Sequence, residues 1–282
     1  MILFKTTMPL KLQLQKFRNA NCKIGFVPTM GALHEGHLSL IKECKKKCDV
    51  TVCSIFVNPT QFNDKKDFEK YPVTIENDIY ILEKNNCDIL FLPAVNEVYK
   101  NGLQQLKHFD LGYLENILEG KYRPGHFQGV CNVVYHLLDI VNPDTIFLGR
   151  KDYQQYMVLK KMMQQFFSGI IIELVDITRE ENGLAMSSRN MRLSNEAKNN
   201  ASGIHESLKF IKQNIFAENV NALKEKAAKK ILQYGFDKVD YVEICDAETL
   251  LPVTNIDKDK KMIALVAAFI ENVRLIDNIF LS

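Results

Sequence analysis

The feature that most constrains this chain is a recurring pair of segments: a short, almost unbroken apolar run, then a stretch with helical spacing. Residues 23–27, 49–57, 88–92, 145–148 and 170–177 are such apolar runs. Residues 36–47, 73–85, 129–141 and 152–167 carry the helical spacing. Strands that are apolar on both faces need cover on both faces, and helices alternating with them supply it. The expected fold is therefore α/β: a Rossmann-like, doubly wound parallel sheet. After Ile177 the pattern changes. A polar loop spans 179–190, helical stretches follow at 195–214 and 220–234, and strand candidates lie at 239–245, 262–270 and 273–279. Helices followed by strands predict a second, smaller α+β domain. The expected domains are residues 1–177 and 178–282.

Composition narrows the class further. A length of 282 residues suits about two domains. Lys plus Arg total 36 against 34 for Asp plus Glu, and this near balance lacks the basic field of a dedicated nucleic-acid binder. The longest clean apolar run, 263–270, falls far short of the roughly 20 residues that a membrane span requires. No apolar stretch near the N-terminus is long enough for a secretory signal, so a cytoplasmic location is expected. The seven cysteines form no C-x-x-C pair and read as small apolar residues in a reducing compartment. A zinc site would have to join Cys44 and Cys48 to His34 and His37, without the paired clusters usual for zinc.

Three segments carry chemistry. Residues 26–37 (FVPTMGALHEGH) follow the first strand and open the first helix, where a doubly wound sheet binds its ligand. Gly31 and Gly36 permit tight turns, and a helix N-terminus there would offer N–H groups and a positive dipole end to phosphate. The segment is not a Walker loop, because His37-Leu38 stands where Lys-Ser/Thr is required. It is not a metalloprotease motif either, since H-E-G-H differs from H-E-x-x-H. What remains is His34-x-Gly36-His37: two imidazoles that can face one phosphate and stabilise charge on a pentavalent phosphorus. The second segment is Gly149-Arg150-Lys151-Asp152, at another strand end. Lys151 is a compact cation suited to phosphate, and Asp152 suits a helix cap or a ribose hydroxyl. The third is the loop of Met186, Ser187, Ser188 and Arg189, with two hydroxyls and a guanidinium fork fit to clamp a triphosphate.

Together these motifs resemble the HxGH nucleotidylyltransferase superfamily. Within it, the chain is similar to the pantoate–β-alanine ligase (pantothenate synthetase) family over nearly its whole length. The resemblance rests on PTMGALHEGHLSLI (28–41), SIFVNPTQF (54–62), EGKYRPGHFQGV (119–130), GRKDYQQ (149–155) and GLAMSSRN (183–190), in the family's order and spacing. It implies that pantoate carboxylate attacks the α-phosphate of Mg²⁺-bound ATP, giving pantoyl adenylate and pyrophosphate. The β-alanine amine then yields pantothenate and AMP. It also implies an ATP site of Met30, Gly31, Ala32, Leu33, His34, Glu35, Gly36, His37, Gly149, Arg150, Lys151, Asp152, Thr178, Met186, Ser187, Ser188 and Arg189. Of these, His37, His34, Lys151, Ser187, Ser188 and Arg189 are the expected catalytic set. Gln61 and Gln155 would hold pantoate, and Gln61 would also lie near β-alanine. A homodimer and a lid role for the smaller domain are implied as well. No protein ligands of the metal are readable.

The chain departs from the family pattern at Arg150 (usually Glu or Gln), Val73 (Arg), Asn132 (Thr) and Thr178 (Val). Two rival functions are an enzyme that adenylylates a phosphorylated metabolite and a nucleotide-binding protein without turnover. The first would want extra cations in place of Gln61 and Gln155, and the second has no need of the histidine pair.

Overall fold

The computed structural model describes residues 1–63, 65–104 and 106–281, apart from the side chains of residues 65 and 66. It divides into two compact units: Met1–Arg150 with Gln154–Asp176, and Lys151–Tyr153 with Ile177–Ser282. Ser282, the last residue of the second expected domain, lies outside the described residues.

The first unit runs β1 (Ile2–Phe4), α1 (Thr7–Asn19), β2 (Ile24–Thr29), α2 (Glu35–Lys47), β3 (Val50–Ile55), α3 (Lys65–Glu69), α4 (Ile75–Lys84) and β4 (Ile89–Phe91). It continues through α5 (Val95–Val98), α6 (Leu118–Tyr122), α7 (His126–Val141), β5 (Thr145–Gly149), α8 (Tyr153–Phe166) and β6 (Ile171–Val175). Its sheet has six strands in the order β1-β4-β3-β2-β5-β6, and every pairing is parallel. This is the doubly wound α/β sheet expected from the sequence. Every residue of β3 is buried, and so is every residue of β2 except Pro28, as their continuous apolar runs require. Neither β1 nor α1 was expected from the sequence. The first is only three residues long, and α1 buries just Thr7, Leu10 and Leu14.

The order reverses beside β2, with β3 on one side and β5 on the other. Against β3, β2 pairs along its whole length, from Ile24 to Thr29. Against β5 the register covers only Gly25 with Thr145 and Phe26 with Ile146. Pro28 has no N–H to give either neighbour. Beyond Phe26 no further residue of β2 pairs with β5, and this is the switch point where a doubly wound sheet places its ligand.

The second unit contains α9 (Asn195–Asn200), α10 (Gly203–Asn214), α11 (Val220–Gln233), β7 (Lys238–Asp246), β8 (Met262–Ile270) and β9 (Val273–Phe280). The strands form an antiparallel sheet in the order β7-β8-β9. Its core gathers Ile204, Leu208, Ile211, Leu223, Ala227 and Ile231 from the helices against Ile244, Ala264 and Val266 from the strands. This is the α+β unit expected, with one refinement. The single helical stretch at 195–214 is two helices, separated by a turn at Ala201–Ser202.

Among the described residues, no helix is long and apolar enough to cross a membrane. Gly129 of α7 packs directly on the main chain of the 3₁₀ turn Pro59–Gln61, and a Cβ there would lie 2.3 Å from the Thr60 carbonyl oxygen. Backbone cannot swing aside as a side chain can. Gly129→Ala should therefore cost about 1–3 kcal/mol of stability, the range for overpacking. Urea unfolding measures this, and an unchanged midpoint would contradict the close packing.

Candidate functional site

The loop after β2 is shaped by a turn and a buried carboxylate. Thr29 Oγ1 donates to the Ser54 carbonyl (2.7 Å) and accepts the Gly31 N–H (3.2 Å), which turns the chain out of the strand. Gly31 then has φ +82° and Ala32 φ +49°, so two successive residues are left-handed. A side chain rarely tolerates this conformation, and the loop needs an external hold. Asp78 of α4 supplies it. The Asp78 carboxylate is fully buried and accepts the N–H groups of Ala32 (2.9 Å) and Leu33 (2.8 Å), with Thr74 Oγ1 donating at 3.1 Å.

The two histidines cap their own helix. Nδ1 of His34, the N-cap of α2, accepts the Gly36 N–H (3.1 Å), and His37 Nδ1 accepts the His34 N–H (3.4 Å). The rings lie 4.1 Å apart at 36°. An imidazole nitrogen that accepts an N–H carries no proton, so each neutral ring holds its proton on Nε2. The pair is thus built with Nε2–H groups as donors. The expectation of main-chain donors for phosphate changes accordingly: the N–H of Gly36 goes to His34 Nδ1, and those of His37 and Leu38 go to the His34 carbonyl. These three amides are engaged within the loop, so the imidazoles and the dipole end of α2 gain weight as means of meeting an anion.

The zinc arrangement does not form. Cys44 lies in the last turn of α2 and Cys48 just past its end, roughly 15 and 21 Å from His34 at 1.5 Å per residue. Burial pushes the Cys44 thiol up to about 12, so it stays protonated. Among the described residues, no group of three or more His, Cys, Asp or Glu could hold a metal ion.

Around Gln61 the site is a network of buried polar groups. Gln61 Nε2 reaches Met30 Sδ at 2.8 Å, bringing together two residues singled out in the sequence. Asn58 Nδ2 donates to Gln61 Oε1 (3.3 Å) and to the Gly129 carbonyl (3.1 Å), while its Oδ1 accepts the Tyr99 hydroxyl (2.8 Å). Burial raises the Tyr99 phenol to about 12, which keeps that proton in place. His126 Nδ1 lies 2.8 Å from the Gln61 main-chain oxygen. Gly149 ends β5, and Gln155 lies half-buried on α8. Its neighbour Gln154 is wholly engaged with main chain, accepting from Glu119 N and donating to the carbonyls of Leu114 and Ile117.

The four departures have structural readings. Arg150 Nε lies 3.0 Å from Asp176 Oδ1, so its charge is neutralised locally rather than added to that of Lys151. Asn132 bonds both main-chain groups of Lys107 and so straps that segment to α7. Val73 borders an apolar cavity of about 210 Å³ lined also by Ile55, Phe56, Leu92 and Val95. Thr178 pairs through its main-chain carbonyl with Met186 N (3.0 Å), a bond indifferent to its side chain.

In the second unit, residues 178–186 form a small antiparallel turn rather than an open loop, with Arg179 bridged to Ala185 and Glu180 N bonded to the Leu184 carbonyl. Gly183, at φ +92°, supplies the reversal and packs on the His205 ring. Ser187 then caps a 3₁₀ turn, Ser188–Arg192, its hydroxyl accepting the Arg189 N–H (3.3 Å). Met186, Ser187, Ser188 and Arg189 are thereby consecutive on a braced turn. Lys151 and Asp152 belong to this unit by their contacts.

The parallel sheet and its switch-point loop define the class: a doubly wound, nucleotide-binding α/β protein with an added α+β unit. The family model described as pantoate-beta-alanine ligase matches residues 2–280. The chain is 43% identical to the pantothenate synthetase of Cytophaga hutchinsonii over 281 residues, 99% of each chain. It is likewise 43% identical to that of Thermotoga petrophila over 285 residues, covering both chains fully. The Thermus thermophilus pantothenate synthetase structure superposes with a TM-score of 0.91 at 34% identity, over 99% of each chain. The Francisella tularensis pantoate-beta-alanine ligase, solved in complex with beta-gamma ATP and beta-alanine, gives 0.81 at 38% identity, over 99% of this chain and 97% of that one. The chain belongs to the pantoate–β-alanine ligase family.

Sequence reasoning missed Asp78, Asn58, Tyr99 and His126. Asp78 did leave a signal: it sits at helical spacing between Ile75 and Leu82, a carboxylate on an apolar stripe. Asp78→Asn replaces one of its two acceptor oxygens with a donor facing a loop N–H. Hydrogen bonds to a charged group are worth about 1.5–3 kcal/mol, so the expected fall in kcat/KM for ATP is about 10- to 100-fold. Steady-state kinetics measures it, and an unchanged value would remove Asp78 from the loop's support.

Proposed function

We propose that the protein condenses pantoate with β-alanine at the expense of ATP, forming pantothenate, AMP and pyrophosphate through a pantoyl adenylate. The observation that carries this reading is the self-capped histidine pair at the β2–β5 switch point, in a chain whose family match spans residues 2–280. A carboxylate cannot acylate an amine directly, because oxide would have to leave. Adenylation supplies a good leaving group, and the enzyme's task is to position the reactants and neutralise phosphate charge.

In the first step a pantoate carboxylate oxygen attacks the α-phosphorus, and the bond to the α,β-bridging oxygen breaks to release pyrophosphate. His37, with His34 beside it, donates from Nε2 to the phosphate oxygens as charge grows on them. Lys151, Ser187, Ser188 and Arg189 take the rest of the triphosphate charge, with Met30, Gly31, Ala32, Leu33, Glu35, Gly36, Gly149, Arg150, Asp152, Thr178 and Met186 completing the ATP site. Gln61 and Gln155 hold pantoate by its hydroxyl and carboxylate oxygens. The Met30–Gln61 contact supports a pantoate site adjoining the histidine loop. In the second step the neutral β-alanine amine, held near Gln61, attacks the acyl carbon and AMP leaves. Magnesium enters as the Mg–ATP substrate complex, and a triphosphate with its water shell satisfies most of that ion's octahedral demand. No enzyme nucleophile takes part. The thiols of Cys44, Cys53 and Cys87 are buried and held protonated.

We further propose that the enzyme works in the cytoplasm, as expected from the sequence, and as a homodimer, as the family resemblance implies; sedimentation velocity tests the stoichiometry.

Purified protein given Mg–ATP and pantoate should form AMP at a sustained rate only when β-alanine is added. Sustained AMP formation without an amine, or adenylyl transfer to a phosphate ester, would count against the ligase. His37→Ala should lower kcat by roughly 10²–10³-fold, the usual cost of removing one donor to a developing charge. An unchanged kcat would strip His37 of its role.

A further inference from the structure

Lys151 and the Ser187–Arg189 turn are separated in sequence, yet two adjacent residues of β9 hold them, one each. Asp277 and Asn278 are adjacent on β9 and buried. The Asp277 carboxylate receives the Arg179 fork, Nη1 to Oδ2 at 2.7 Å and Nη2 to Oδ1 at 3.0 Å. Arg179 Nη1 also donates to the Gly183 carbonyl (3.0 Å), so the fork pins the turn that leads into Ser187. Asn190 closes the far side of the turn, donating to Glu180 Oε1 (2.8 Å) and the Ala185 carbonyl (3.1 Å). The next residue on β9 acts elsewhere: Asn278 Nδ2 donates to the Lys151 main-chain carbonyl at 3.0 Å. Two residues further, Phe280 meets the Tyr153 ring edge-on at 5.6 Å, and the Tyr153 hydroxyl donates to the Ala247 carbonyl (2.8 Å). These bonds place Lys151–Tyr153 with the second unit, although the strand before and most of the helix after belong to the first.

A bidentate buried ion pair is weak evidence for stability by itself, because removing its charges from water offsets much of the attraction. What this pair does provide is fixed geometry. The Lys151 ammonium rides on a flexible stem, so its reach is set by where its main chain is held. We propose that Asp277 and Asn278 are positioning residues that hold Lys151 and the Ser187–Arg189 turn in one register for the phosphates of ATP. The proposal deepens the functional reading above and rests on its assignment of Lys151, Ser187, Ser188 and Arg189 to the triphosphate.

The test measures KM for each of the three substrates, together with the affinity for a non-hydrolysable ATP analogue by calorimetry. Asn278→Ser, which shortens the donor away from the Lys151 carbonyl, should raise KM for ATP about tenfold and weaken the analogue equally. KM for pantoate and β-alanine should stay within twofold. Asp277→Asn should raise KM for ATP further. If that variant fails to fold, Asn278→Ser alone decides. In a Lys151→Ala background, Asn278→Ser should add less than a twofold effect, since there is no ammonium left to position. An equal rise in all three KM values, an unchanged KM for ATP, or a full tenfold effect in the Lys151→Ala background would each overturn the proposal. Calorimetry needs no turnover. A wild-type protein that binds the analogue but makes no pantothenate would therefore defeat the functional reading while leaving the positioning test intact.

Discussion

Two imidazoles that accept main-chain N–H groups through Nδ1 are the constraint on which the first unit's site depends. Capping a helix with histidine in place of the usual Ser, Thr or Asp fixes both the ring orientation and the tautomer in one stroke. It also explains why the loop tolerates two left-handed residues in succession. Gly31 and Ala32 must turn so that His34 arrives at the N-cap position, and the fully buried Asp78 holds them there by charge-assisted bonds to Ala32 and Leu33. The sheet contributes the switch point, where the β2–β5 register ends at Phe26 and Ile146. Remove the cap, and the same two side chains become ordinary surface histidines before a helix.

The second unit solves a similar problem differently. Its cationic groups lie on a tight turn and on a three-residue stretch borrowed from a distant part of the chain, and β9 braces both. Each unit thus fixes its functional groups through a buried carboxylate, Asp78 in one and Asp277 in the other. A carboxylate suits the task because it accepts several hydrogen bonds at once and has no donor of its own to satisfy. Arg150, which looked like an added charge beside Lys151, is balanced by Asp176. Because Asp176 is 88% exposed, this pair tunes local charge more than it stabilises the fold.

Much of this was legible in the sequence because the signals are local. Continuous apolar strands marked the parallel sheet, the apolar run at 263–270 proved to be the central strand of the second sheet, and the three chemical motifs are contiguous segments. What escaped was non-local or short. The three-residue β1 and the sparsely apolar α1 fall below what periodicity can detect. The break at Ala201–Ser202 is hidden because both flanking helices keep their apolar spacing. The supporting bonds join residues 46, 98 and 127 positions apart, from Asp78 to Ala32, from Arg179 to Asp277 and from Asn278 to Lys151. No window along the chain contains both partners. The engagement of the Gly36 amide escaped for a related reason, since its capture by His34 Nδ1 depends on a rotamer.

The most direct measurement is a long-range ¹H–¹⁵N correlation spectrum of the protein labelled in its histidine side chains, recorded at neutral pH with and without a non-hydrolysable Mg–ATP analogue. The geometry requires His34 and His37 to show an unprotonated Nδ1 and a protonated Nε2, with the two Nε2 resonances moving when the analogue binds. Rings protonated on Nδ1, or Nε2 resonances that stay in place while the nucleotide binds, would contradict it.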